Sequence, residues 1–181
     1  MKFLKLSILA ALVVSLTYCN KDLSNSVSVT FKGPTTTFEF SMDTTSKIKS
    51  VPVDTSIANF NLDSIAKANN TTLDKISKIE IESMTIYTMY PSWANFDVVD
   101  TIQLSLSSPT VPSKVVKLAD ISTITPGAKT INPPFPDTKD LLEILKQKKI
   151  RLYGKLVNKQ PITTKAGFKI VFKTKITAGG K

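Results

Sequence analysis

Histidine is missing from all 181 residues of the chain. Its absence removes the commonest general base and the commonest metal ligand. It excludes a Ser-His-Asp or Cys-His hydrolase and every zinc site built from His and Cys. Cysteine occurs once, at Cys19, so no disulfide can staple the domain internally and packing must hold it. The six glycines are scattered, and the Gly179-Gly180 pair lies at the tail, so no Gly-rich phosphate loop is present. Long apolar runs are also lacking: the longest, Leu6 to Tyr18, falls short of the roughly 20 residues of a membrane-spanning helix. No cofactor and no metal are expected. Asp97 and Asp100 are the nearest approach to a calcium site, without the oxygen-rich spacing of such loops.

The apolar run at the start has a different use. Lys2 and Lys5 precede it, which is the layout of a secretory signal peptide. Ordinary cleavage wants small residues before the cut, yet Tyr18 precedes Cys19. Leu16-Thr17-Tyr18-Cys19 instead resembles a bacterial lipobox. That resemblance implies residues 1–18 as a lipoprotein signal peptide and Cys19 as the acylated first residue of the mature chain. It implies residues 19–25 as a tether and 26–181 as a single domain. Two or more acyl chains make membrane attachment stable. The competing reading is a plain secreted protein with a spare thiol. Asn20-Lys21-Asp22 resembles the Lys/acid signals that send Bacteroidota lipoproteins to the cell surface, which tilts an outer-membrane location toward the surface over the periplasm.

Removing residues 1–18 from the 181 leaves 163, enough for one domain with a real core and short for two. The formal charge of +10 falls to +8 once Lys2 and Lys5 are gone. Its distribution is uneven. Residues 19–138 hold 10 Lys/Arg against 12 Asp/Glu, whereas residues 139–181 hold 12 against Asp140 and Glu143 alone. Such asymmetry suggests an anionic partner or surface. The bland alternative is lysine on exposed strands, blocking edge-to-edge pairing.

Period-two alternation dominates the rest of the chain. Val27, Val29 and Phe31, then Phe38 and Phe40 after Gly33-Pro34, read as two strands joined by a turn. Lys47 to Val53 reads as a third, held at an edge by Pro52. Leu62, Ile65 and Ala66, with Asn61 as cap, read as a short helix. Ile76 to Met89 is a long strand whose apolar parity switches from Ile79 and Ile81 to Met84 and Ile86, which predicts a bulge near Ser83. After the Tyr90–Ala94 loop, Ile102, Leu104 and Leu106 mark the returning strand. Val115–Leu118 and Lys129–Ile131 are shorter candidates around the Pro126-Gly127 turn. Asp137 or Thr138 is expected to cap a helix burying Leu141, Leu142 and Leu145. Ile150, Leu152, Gly154 and Leu156 share one face of the next strand; Phe168, Ile170, Phe172, Thr174 and Ile176 share one face of the last. About eight such strands argue an all-β, antiparallel sandwich with one or two short inserted helices.

The order of these elements resembles a group of uncharacterised Bacteroidota lipoproteins. The resemblance rests on Asn61-Leu62-Asp63, the Ile76–Ile86 strand, Asn95-Phe96-Asp97, Ile102–Leu106, the Thr138–Leu145 helix and the two final strands, covering roughly residues 57–177. It implies an immunoglobulin-like β-sandwich at the cell envelope, and carries over no activity or binding residue.

Two surface features are candidate sites. Arg151, Lys155, Lys169, Lys173 and Lys175 occupy the polar parity of the last two strands, so neighbouring strands would merge them into one basic stripe. Tyr87, Tyr90 and Trp93 cluster around a Pro-containing loop, where aromatic rings could stack on sugars or fold back to plug the sandwich end. Glu80 and Glu82 share a strand face, but a glycosidase needs one raised carboxyl opposed to another across a cleft. No enzyme and no nucleic-acid partner are expected, since Tyr153 alone interleaves the basic residues. The expected role is a lipid-anchored, non-enzymatic cell-envelope module binding or bracing another outer-membrane component. Its partners would be the membrane, through the N-terminal lipid, and an anionic envelope component or outer-membrane protein. The alternative is a surface glycan-binding lipoprotein using the aromatic loop.

Overall fold

The computed structural model describes residues 28–179, apart from 59, 93 and 135. The segments expected to be signal peptide and tether, with Cys19 and Val27, lie outside the described residues. Eight strands form two antiparallel sheets: β1 (Val29–Met42), β2 (Ser50–Ala58), β3 (Ile76–Tyr90), β4 (Val99–Ser107), β5 (Val115–Ile121), β6 (Thr130–Ile131), β7 (Lys149–Asn158) and β8 (Ala166–Ala178). One sheet has the order β1-β8-β3-β6 and the other β2-β7-β4-β5. The all-β antiparallel sandwich is as expected.

The order within the sheets is more specific. β1 pairs with β8, β2 with β7, β3 with β6, and β4 with β5. These are nested hairpin pairs, as if one long hairpin closing between β4 and β5 had been rolled up. Alternate pairs go to alternate sheets, and β3·β8 and β4·β7 join them. That arrangement is a jelly roll. An immunoglobulin sandwich keeps its first two strands in one sheet, whereas β1 and β2 here lie in opposite sheets. The strand order therefore departs from the immunoglobulin-like pattern while the sandwich itself stands.

The bulge on β3 falls where the parity switch placed it, between Ile81 and Ser83. Ile79, Ile81, Met84 and Ile86 are all buried, because the extra residue returns both halves of the strand to one inward face. The first helix, α1 (Leu62–Ala68), is capped by the Asn61 side chain, which accepts from the Ser64 N–H at 3.0 Å.

Other boundaries moved. The two strands expected around Gly33-Pro34 are one strand, with a register irregularity between Lys32 and Thr35. The Gly33 backbone passes so close to β8 that a Cβ there would sit 2.0 Å from Thr174 Oγ1. The chain bulges past Thr174 and stays on β8 instead of turning away. Pro34 costs no ladder bond because β1 is an edge strand. β2 starts at Ser50, later than expected, and does lie at an edge. β4 does not return beside β3; it crosses to the other sheet. The second helix, α2, covers only Leu141–Leu145 and buries Ile144 where Leu142 was expected. Asp137 and Thr138 instead turn the chain ahead of it, accepting from Lys139 N and Leu141 N.

The core lies between the sheets. Phe168 stacks on Phe40 and on Phe96 with ring centres 5.8 and 5.4 Å apart, and Phe38 stacks on Phe172 at 6.4 Å. Asn158, buried among these layers, has every polar atom satisfied: Nδ2 donates to Lys47 O and Gln160 O, and Oδ1 accepts from Lys49 N.

Candidate functional site

Side chains on neighbouring strands of one sheet share a face when they are directly paired. The five cations expected to form one stripe are split by that rule. β7 and β8 belong to different sheets, so Arg151 and Lys155 lie on one outer surface and Lys169, Lys173 and Lys175 on the opposite one. Alternation reports which side of a strand is wet. It does not report which sheet holds the strand, and the segment 159–165 carries the chain across.

The two surfaces differ in electrical character. On the β7 side, Arg151 grips Asp54 through Nε at 2.7 Å and Nη2 at 2.6 Å. The hydrogen bond lowers the Asp54 pKa and raises that of Arg151. Lys117 hydrogen-bonds Asp120, and this contact holds the Asp120 carboxyl below its ordinary value. Lys155 lies near the same carboxylate. Charge on this side is largely compensated.

The β8 side is not. Register aligns β1, β8 and β3 into rungs: Ser41–Gly167–Tyr90, Glu39–Lys169–Tyr87, Thr37–Val171–Thr85, Thr35–Lys173–Ser83, Lys32–Lys175–Glu80 and Thr30–Thr177–Lys78. Glu80 is engaged by Lys78 at 2.7 Å, and that hydrogen bond lowers its pKa. Among the described residues, Lys32, Lys169, Lys173 and Lys175 form no ion pair. Lys32 and Lys175 stand directly opposite one another, an arrangement that like charges disfavour. Lys32 has the polar parity of the Val29–Phe31 alternation, but only the pairing of β1 with β8 sets it beside Lys175.

The aromatic candidates join this same surface. Lys169 Nζ lies over the Tyr87 ring, 5.4 Å from its centre. The Tyr90 ring occupies the space that a Gly167 side chain would fill: a Cβ there would lie 2.1 Å from Tyr90 Cε1. Gly167 shares the parity of Lys169, so Tyr90 covers the outer surface at the end of the lysine row and remains 41% exposed. Trp93 lies outside the described residues. Tyr87 and Tyr90 thus continue half of the basic stripe, a juxtaposition that only the β3·β8 register creates. Gly167, like Lys32, is a residue the sequence reading missed.

Beside this end, the β3–β4 and β7–β8 loops enclose a cleft of about 240 Å³ whose polar lining includes Asn95, Gln160, Thr163 and Thr164. No carboxylate lines it. Asp97 is occupied elsewhere, its two oxygens accepting from Gly127 N at 2.6 Å and Asn95 Nδ2 at 2.7 Å, which fastens the β3–β4 loop to the Pro126-Gly127 turn. Nothing in this cleft opposes two acids across a substrate.

No family model, curated protein or solved structure matches the chain.

Proposed function

We propose that the protein is a lipid-anchored, non-enzymatic binding module of the cell envelope that holds an anionic component on the outer face of β1, β8 and β3. One observation carries the reading: Lys169, Lys173 and Lys175 sit on β8, an interior strand paired along both edges. Lysine that protects against edge-to-edge pairing belongs on an edge strand, so that explanation does not reach them. Lysine is also depleted from strands generally, and Lys173 faces no carboxylate on either neighbouring strand. A cationic surface kept under those penalties is best accounted for by a negative partner.

The described chain enters the sandwich at the end of β8 opposite Tyr90. The chain enters the sandwich at Val29, which pairs with Ala178, while Tyr90 pairs with Gly167 near the other end of β8. At about 3.3 Å per residue these ends are roughly 36 Å apart.

Two experiments test the reading. Cys19→Ala should release the protein from the membrane fraction and abolish palmitate labelling; a wild-type protein already soluble with a free thiol would refute the anchor. The triple variant Lys32→Gln, Lys173→Gln, Lys175→Gln should lose salt-sensitive retention on immobilised dextran sulfate. The control triple Lys117→Gln, Lys149→Gln, Lys155→Gln, on the opposite sheet, should retain most of it. Equal retention of both triples would refute the assignment to this face.

A further inference from the structure

We infer that the anionic partner is an acidic polysaccharide, lying lengthwise along β8 with a sugar ring on Tyr90 and its acid groups on the lysines. This rests on the basic face proposed above and adds the chemistry of what it recognises. Three features of the face select a charged sugar chain over other polyanions.

First, the face is a track. Gly167, Lys169, Lys173 and Lys175 lie along one straight strand over roughly 27 Å at about 3.3 Å per residue, with Lys32 beside Lys175. A linear polymer can engage all of it at once. Secondly, hydroxyls flank the middle of the track on both sides, Thr35 and Thr37 on β1 and Ser83 and Thr85 on β3, with the carboxylates Glu39 and Glu80 beside Lys169 and Lys175. Short hydroxyls donate and accept, as a ligand rich in its own hydroxyls requires. Thirdly, the Tyr90 ring packs over Gly167 at one end of the track and stays 41% exposed, an amphipathic ring available for stacking.

A folded protein is a poor match for this surface. Interface cores are enriched in aromatic residues, Met and Arg and depleted in Lys and Ser, whereas this face centres on lysine, threonine and serine. Of the exposed large apolar side chains among the described residues (Val29, Ile48, Tyr90 and Val115), only Tyr90 belongs to the track. Acidic headgroups could neutralise the lysines but would leave the hydroxyl rows and Tyr90 unused.

The test uses the full-length protein in nanodiscs of zwitterionic lipid, titrated with polygalacturonate, neutral dextran, polyphosphate and vesicles containing phosphatidylglycerol. Polygalacturonate should bind, weakening as salt rises, and dextran should not. The Lys32/Lys173/Lys175 triple variant should weaken binding about tenfold or more at low salt and flatten its salt dependence, since exposed ion pairs are screened. Tyr90→Ala should weaken binding by a similar factor at every salt concentration, because stacking is not screened. Polyphosphate or vesicles bound as tightly as polygalacturonate, or polygalacturonate binding indifferent to Tyr90→Ala, would overturn the polysaccharide and leave the anionic face standing. Binding of no polyanion at all would overturn both.

Discussion

Replacing Ile170 with alanine probes the register of β8 at its centre. Ile170 is 0% exposed and lies between Phe38 of β1 and Ile86 of β3, both buried. The substitution removes three carbons, worth about 2.4 kcal/mol at roughly 0.8 kcal/mol per buried methylene. A cavity term adds to this, since the facing layers cannot collapse fully, giving about 3–4 kcal/mol within the usual span of about 2–5. For a domain of this length each kcal/mol shifts Tm by roughly 2–4 °C, so circular-dichroism melts should fall by about 6–16 °C. Val171, the next residue, points outward on the lysine face and is only half-buried. Val171→Ala should therefore cost about 1 kcal/mol or less. Ile170→Asp should leave no folded protein, because an unpaired buried charge costs several kcal/mol against a total stability of roughly 5–15. Equal losses for Ile170→Ala and Val171→Ala would refute the register, and with it the placement of every lysine on β8.

Gly154→Ala should destabilise by about 1–3 kcal/mol or more, because a Cβ at this φ of +155° would lie 1.9 Å from the Gln103 carbonyl oxygen; an unchanged melt would show that β7 and β4 are not so close. Asn158→Ala should cost about 1–3 kcal/mol, since it orphans Lys49 N and two carbonyls; urea unfolding measures it, and a neutral result would refute the bracing role. Asp54, Glu80 and Asp120 have lowered pKa values from hydrogen bonds to Arg151, Lys78 and Lys117. A lowered folded pKa contributes stability above the unfolded value and loses it as pH falls through the folded one. With no histidine to titrate, Tm should stay flat between about pH 5 and 8 and fall only below about 4; a decline between pH 7 and 5 would contradict this.

Much of the local structure was legible because local causes set it. The Asn61 cap needs only an amide and the next turn of backbone, and the β3 bulge needs only two apolar parities that cannot otherwise share a core. The α2 helix was misjudged because packing chose its buried residues: Ile144 was buried where Leu142 was expected. The single strand at Gly33-Pro34 was missed for a related reason. A glycine and a proline signal a turn unless a neighbouring strand, here β8 with Thr174, keeps the chain straight.

Alternation along β7 and β8 by itself determined that Arg151, Lys155, Lys169, Lys173 and Lys175 would lie on the polar sides of their strands, since a strand's side chains point alternately to its two faces. It could not determine that they would lie on opposite sides of the molecule. Strand partners are chosen by the burial of whole faces across long sequence separations, and here β8 pairs with β1 and β3 while β7 pairs with β2 and β4. The same choice set Tyr90 over Gly167 and Tyr87 beside Lys169, joining an aromatic loop to a basic strand some 80 residues away in the chain. Residue type and parity settled what each strand offers to water; only the tertiary pairing decided which offerings stand side by side, because that depends on contacts no local stretch of chain contains.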